Sequence, residues 1–131
     1  MPLGDALLPG IAAEDIGRCA YGIVRAGDAY LGSTVGIAGQ HLTGAQLAAG
    51  LSVLAGEPVR YQHVPAEVLR RLPFPGVDIG ANMFQFVNEV NADYCGRRGV
   101  ALARTLNPSL ASYDEWVATT RARLQEPAGA H

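Results

Sequence analysis

Few residues in this chain carry side chains that could move a proton or hold a ligand. His63 closes the alternating run Val59-Arg60-Tyr61-Gln62-His63. Its imidazole has the intrinsic pKa of a general base near neutrality. Asp93 and Tyr94 set a carboxylate beside a phenol, a short way after the aromatic group Met83, Phe84 and Phe86, with Asp78 and Glu89 near them in the chain. A carboxylate and a phenol against an apolar wall can pass a proton to a bound substrate. Asn82, Phe84, Asn88 and Tyr94 are the candidate contacts for a ligand or partner, because Phe84 lies off the helical stripe that Met83 and Phe86 share. Each also has a structural reading, and that reading is favoured for His63 (a half-buried strand residue), for the carboxylates (solvated charge) and for Met83 and Phe86 (core packing). His41 reads as a loop residue before a helix, and Asp15 as a helix-start residue. The histidines are scattered and neither Cys19 nor Cys95 stands at ligand spacing, so no metal site is expected.

These residues hang on a central unit, residues 33–65. Ser33–Ala38 reads as a strand, a helix follows over about 44–55, and Val59–Val64 alternates as a second strand. Thr43 and Gln46 fit a capping box, and Gly56 supplies a left-handed helix end. Leu47, Leu51 and Leu54, with Ala48 and Ala55, should face inward. Two strands joined by one helix predict a parallel pair with a right-handed crossover. Before this unit, residues 1–12 hold at most a short extended segment. A helix then runs from Glu14-Asp15 to about Ala26, with Ile16, Ala20, Ile23 and Val24 inward. Gly17 and Gly22 weaken it by roughly 1 kcal/mol each against Ala, which implies close packing. After the unit come a short helix over 66–71, a break at Leu72–Gly76, and a helix over 77–90 with Ile79, Met83, Phe86, Val87 and Val90 as its stripe. Residues 91–99 read as a loop and 100–106 as a short helix. A last helix begins at a second capping box, Ser112 with Glu115, and turns Trp116 and Val117 inward. Residues 125–131 should form a frayed tail.

A chain of 131 residues suffices for one domain, and a hydrophobic content of 49% with 17% charged residues favours a folded one. The net charge is −2 and no basic run exceeds two residues, so nucleic-acid binding has no electrostatic footprint. No apolar run is long enough to span a membrane, and no signal peptide is evident. Two cysteines do not make a disulfide framework, which places the chain in the reducing cytoplasm.

Several phrases, taken in order, resemble one family. Ile11-Ala-Ala-Glu-Asp-Ile-Gly17, Tyr30-Leu-Gly32, Leu42-Thr43, Phe74-Pro-Gly76, Ala81-Asn-Met-Phe-Gln-Phe86, Leu106-Asn-Pro108 and Ser112–Trp116 are similar to segments of NmrA-like proteins, atypical short-chain dehydrogenases. Their order and spacing are most similar to the NADPH-sensing branch and extend over residues 2 to about 124. The resemblance implies that residues 1–124 form a single C-terminal, substrate-side lobe. Family members are about twice this length, with an N-terminal Rossmann domain and a glycine-rich phosphate loop. No such loop stands between a strand and a helix here, so no complete Rossmann domain, no cofactor and no cofactor-binding residues are expected. The fold class expected is α/β but mostly helical, with a small parallel sheet.

Three functions follow from that resemblance. The first is a non-catalytic small-molecule-binding or regulatory module without its own NADP site. The second is a cofactor-independent isomerase or cyclase acting on a small apolar metabolite, with His63, Asp93 or Tyr94 as catalyst. The third is the substrate-side subunit of a split NAD(P)-dependent oxidoreductase. The surface that a Rossmann domain would cover predicts a homodimer or a separate Rossmann-type subunit as partner, and no partner of nucleic acid or membrane. A fourth reading is that the chain is a fragment of a longer protein.

Overall fold

The structure is a computed structural model and describes residues 1–125. It is mostly helical. The elements are β1 (Leu8–Gly10), α1 (Ala13–Arg25), a 3-10 turn (Gly27–Tyr30), β2 (Gln40–Leu42), α2 (Gly44–Ala55), α3 (Ala66–Leu69), α4 (Val77–Glu89), α5 (Asn91–Gly96), α6 (Val100–Leu106) and α7 (Tyr113–Gln125). The described residues hold no complete Rossmann domain. The predicted tail, apart from Gln125, lies outside the described residues.

The sheet differs from expectation in place and direction. It is two-stranded and antiparallel, with Leu8 opposite Leu42, Pro9 opposite His41 and Gly10 opposite Gln40. Of the predicted strand 33–38, only Ile37 makes a bridge, a parallel one with Gly99. Residues 59–64 lie in no strand. Alternation describes side chains, whereas a strand also needs a partner backbone. Here Val59 gives its N–H to the Ser52 hydroxyl at 2.9 Å, and Val64 reaches the Met1 carbonyl only at 3.4 Å. The predicted crossover unit is therefore a helix whose two predicted flanking strands lie outside the sheet.

The helix within that unit is as expected. Gln46 N–H donates to Thr43 Oγ1 at 3.2 Å, and Thr43 N–H to Gln46 Oε1 at 2.8 Å. Gly56 ends the helix at φ +72°. Its inward face is made of small residues, Gly44, Ala48 and Gly50, while Leu51 is exposed. Residues 91–99 are not a loop throughout, since α5 occupies Asn91–Gly96. Its polar first residue is bonded to a neighbouring backbone instead of solvent. Asn91 Oδ1 accepts from Leu7 N–H and its Nδ2 donates to the Leu7 carbonyl, at 3.1 and 2.8 Å.

A core of Cys19, Ala103, Leu106 and Leu110 joins α1 to α6 and the loop after it. The inward face of α1 is Asp15 and Cys19, one residue out of register with the predicted stripe, so Ile16 and Val24 point outward. The apolar lining of the interface fits because Gly22 meets the Leu106 backbone directly.

Candidate functional site

The predicted site residues sit in two places. His63 and Asn88 meet at the N-terminal segment. Gly4 N–H donates to His63 Nδ1 at 2.9 Å, and Asn88 Nδ2 donates to the Pro2 carbonyl at 2.6 Å. Between these clamps Leu3 is fully buried. His63 is thus occupied by a backbone donor, and it is exposed, not half-buried. His41 is likewise engaged, its Nε2 donating to the Arg98 carbonyl at 2.9 Å, and it belongs to β2, not to a loop.

The second place is the outer surface of α4 and α5. Asp93 pairs with Arg97 at 2.7 Å in the open. Tyr94 lies under the Arg98 guanidinium, 3.7 Å from ring centre, and meets the Phe86 ring edge-on at 6.3 Å. Asn82 Oδ1 accepts from Arg70 at 2.8 Å. Asp93 and Tyr94 therefore each face a cation. The stripe on α4 is also turned: Val77, Ala81 and Val87 are buried, Phe84 is partly buried beside them, and Ile79, Met83 and Phe86 are 76%, 52% and 54% exposed. Phe84 is the packing residue, and the two residues read as core are on the surface. Both faces of this helix are apolar, so spacing alone could not say which one the fold buries.

Two concave surfaces lie against α7. A cleft of about 720 Å³ runs between α2 and α7. Its floor is apolar and small: Ala49, Gly50, Val53, Val117, Ala118 and Ala122, with Leu42 at one end. A smaller cavity of about 300 Å³ adjoins it across Gln40, Leu42 and Tyr113 and is walled by Trp116 and the backbone of Gly10 and Gly39. Volumes of this order suit small organic ligands.

Tyr113 is the hinge post of both. The Ser112–Glu115 capping box starts α7 as expected, with Glu115 N–H donating to Ser112 Oγ at 3.2 Å and Ser112 N–H to Glu115 Oε2 at 2.7 Å. This fixes Tyr113 over α2. Its hydroxyl donates to the Leu47 carbonyl at 2.9 Å, and its N–H donates to Gln40 Oε1 at 3.1 Å. Gly50 makes the seat, because a Cβ there would run into the Tyr113 ring. Burial pushes the phenol pKa up, and nearby Asp114 adds to the rise. Trp116, expected inward, is exposed and stacks on Tyr113 with ring centres 5.9 Å apart. Val117 is the buried residue of the pair.

The polar groups on the large cleft are Gln40, Gln46, Asp114, Arg121 and Gln125. Arg121 is the one cation among the lining residues, and no acid pairs with it among the described residues. Histidine, cysteine and glutamate are absent from the lining. Among the described residues no cluster of three or more histidine, cysteine, aspartate or glutamate side chains could hold a metal ion, and no helix is long and apolar enough to cross a membrane. Gln40, Tyr113 and Arg121 escaped the sequence reading because residues so far apart in the chain share a wall only once α7 has packed on α2. The one local signal was the small residues on both helices, Ala45-Ala48-Ala49 with Gly50, and Ala118 with Ala122, which leave room between two helix axes.

The model of the NmrA-like family matches residues 1–117 of the chain.

Proposed function

Since the chain belongs to the NmrA-like family, we propose that it acts as a non-catalytic small-molecule-binding or regulatory module, corresponding to the C-terminal, substrate-side lobe of the NADPH-sensing branch. The observation that carries this reading is the cleft between α2 and α7. It is roomy and apolar, and its titratable lining is limited to Tyr113, Asp114 and Arg121. Tyr113 already spends its proton on the Leu47 carbonyl. Such a site binds and orients, and it lacks the poised acid and base that turnover requires. The isomerase reading loses ground for the same reason, since His63, Asp93 and Tyr94 are held by Gly4, Arg97 and Arg98 away from the cleft.

The NADPH-sensing branch that the chain resembles takes a nicotinamide cofactor, and the residues present here do not fit one. A pyrophosphate needs free helix N–H groups behind a strand and an open backbone. At the β2–α2 junction, Thr43 and Gln46 satisfy the helix start themselves, and a Cβ on Gly44 would lie 2.5 Å from the Tyr61 ring. At the β1–α1 junction, Glu14 and Asp15 occupy the first turn and would repel phosphate. The purified chain should therefore not retain NADPH in native mass spectrometry or titration. A dissociation constant below about 10 μM, some 7 kcal/mol of binding, would overturn this part of the reading.

The cleft is tested by filling it. Ala118 lies on the exposed side of α7 and lines the cleft. Ala118→Phe should leave the melting temperature within a few degrees of the parent and abolish the thermal shift produced by any metabolite found to stabilise the parent. A hit that stabilises both proteins equally binds elsewhere, and the site assignment then fails.

A second reading is favoured by the apolar faces left open. Ile79, Met83 and Phe86 on α4, beside Val68, Leu72 and Phe74, are exposed, as are Ile16, Tyr21 and Val24 on α1. Faces of this kind suit a second copy of the chain or a separate Rossmann-type subunit, as in a split oxidoreductase. Both cysteines are free and buried, which agrees with a reducing, cytoplasmic setting.

A further inference from the structure

The larger cleft has a direction, and the direction selects a ligand. Its lining follows one stripe of α7: Tyr113 and Asp114 at the start, Val117 and Ala118 in the middle, Arg121 and Gln125 at the far end. From Tyr113 to Arg121 is eight residues, about 12 Å along a helix at 1.5 Å per residue. Between these ends the groove offers a methyl and methylene surface, with Ala49, Gly50 and Val53 supplied by the facing helix. On α7 no polar side chain stands between the two ends, and Gln40 and Gln46 line the cleft from the side of β2 and α2. The charges sit apart: the Asp114 carboxylate at the Tyr113 end and the Arg121 guanidinium at the other.

We infer that the cleft between α2 and α7 takes an elongated monocarboxylate, an unbranched acyl chain of about ten carbons, with its carboxylate on Arg121 and its tail against Tyr113. This rests on the reading of the cleft as a small-molecule site. An extended chain of that length spans the distance between the two ends. The tail is rewarded by burial along the small-residue floor, and the head by a charge-assisted, bidentate pairing that guanidinium offers carboxylates. Arg123, two residues on, is already paired with Glu14 at 3.1 Å, which leaves Arg121 as the guanidinium of the cleft. Asp114 adds discrimination. A second carboxylate at the tail end would lie beside it, so a dicarboxylate of equal length is repelled.

The test is titration calorimetry of the full chain with decanoate, 1-decanol and decanedioate, each below its aggregation range. Decanoate should bind saturably at one site, with decanol and decanedioate at least tenfold weaker. Arg121→Gln should weaken decanoate at least tenfold and leave decanol unchanged, and Ala118→Phe should remove decanoate binding altogether. Equal affinities for decanoate and decanol, or an indifferent Arg121→Gln, would overturn the carboxylate assignment while leaving the cleft as a site. Decanoate binding that survives Ala118→Phe is surface adsorption and overturns the proposal. If no decanoate binds but a different metabolite does so in an Ala118→Phe-sensitive way, the ligand class is wrong and the parent reading stands. If nothing binds the cleft, both fall.

Discussion

Asp15→Ala should destabilise the chain by about 3–4 kcal/mol, because it strips one carboxylate from three donors and leaves the buried Asn107 amide and the part-buried Ala111 N–H without a partner. Asp15 is only 1% exposed. Its Oδ1 accepts from Arg18 and from Asn107 Nδ2, both at 2.9 Å, and its Oδ2 accepts from Ala111 N–H at 3.0 Å. It thus ties the first turn of α1 to the loop that delivers Ser112 and Tyr113 to the cleft. Asn107 is itself buried, so its amide would lose an acceptor without gaining solvent. Asp15→Asn should cost nearly as much, because any orientation of the amide sets an N–H against another donor. The effect carries a pH signature. Burial alone raises the Asp15 pKa, but the Ala111 N–H, Arg18 and Asn107 together outweigh it and hold the carboxyl below its ordinary value. A depressed folded-state pKa means that the contribution is fully present above the unfolded value, about 3.9, and is lost as pH falls through the folded one. Chemical denaturation of the parent should therefore show stability falling below about pH 4, with a shallower fall in Asp15→Asn. Equal stabilities for parent and Asp15→Ala at pH 7 would show that the buried carboxylate holds nothing.

Local chemistry is legible in the sequence; the choice between faces is not. Thr43 with Gln46, Ser112 with Glu115, and Gly56 all act within a few residues, and each forms as expected. The extents of α1, α2, α4 and α6 follow from the same kind of signal. The inward faces of α1 and α4 differ from expectation because each helix is apolar over more than half its circumference. On α1 the fold buries a charged residue, Asp15, in preference to Ile16, since only Asp15 can reach the donors that the loop after α6 presents. Long-range pairing leaves no local trace, so β1 reads only as a short extended segment and β2 merges into the approach to α2. Their pairing needs Gly39 N–H on the Gly10 carbonyl at 2.7 Å, a contact between segments nearly thirty residues apart. The site is hidden for the same reason. Side chains that look chemical are engaged elsewhere, His63 with the Gly4 N–H and Asp93 with Arg97, whereas the cleft is lined by residues whose types promise nothing singly. A small-residue floor becomes informative only when two such helices face each other.

Gly22→Ala and Gly17→Ala should move stability in opposite directions although they lie on one helix. Helix propensity alone gives both a gain of about 1 kcal/mol. For Gly17 nothing stands within 4 Å of where the alanine methyl would lie, so the gain of about 0.5–1 kcal/mol should be realised in full. At Gly22 the added Cβ would overlap the Leu106 carbonyl oxygen. That oxygen is backbone, and it cannot swing aside as a side-chain tip can. The helices α1 and α6 must then separate, opening the core of Cys19, Ala103 and Leu106. The expected net loss is about 1–2 kcal/mol, the upper part of the usual overpacking cost less the propensity gain. Separation at this contact would also strain the loop that follows Leu106, where Asn107 meets Asp15 at 2.9 Å. The pair of variants thus isolates packing from propensity on a common helix, measured by urea denaturation of each against the parent. Two stabilised proteins would mean that α1 and α6 do not pack backbone to backbone. Two destabilised ones would place a second close contact at Gly17, on the face of α1 that is open in this chain and suited to a partner.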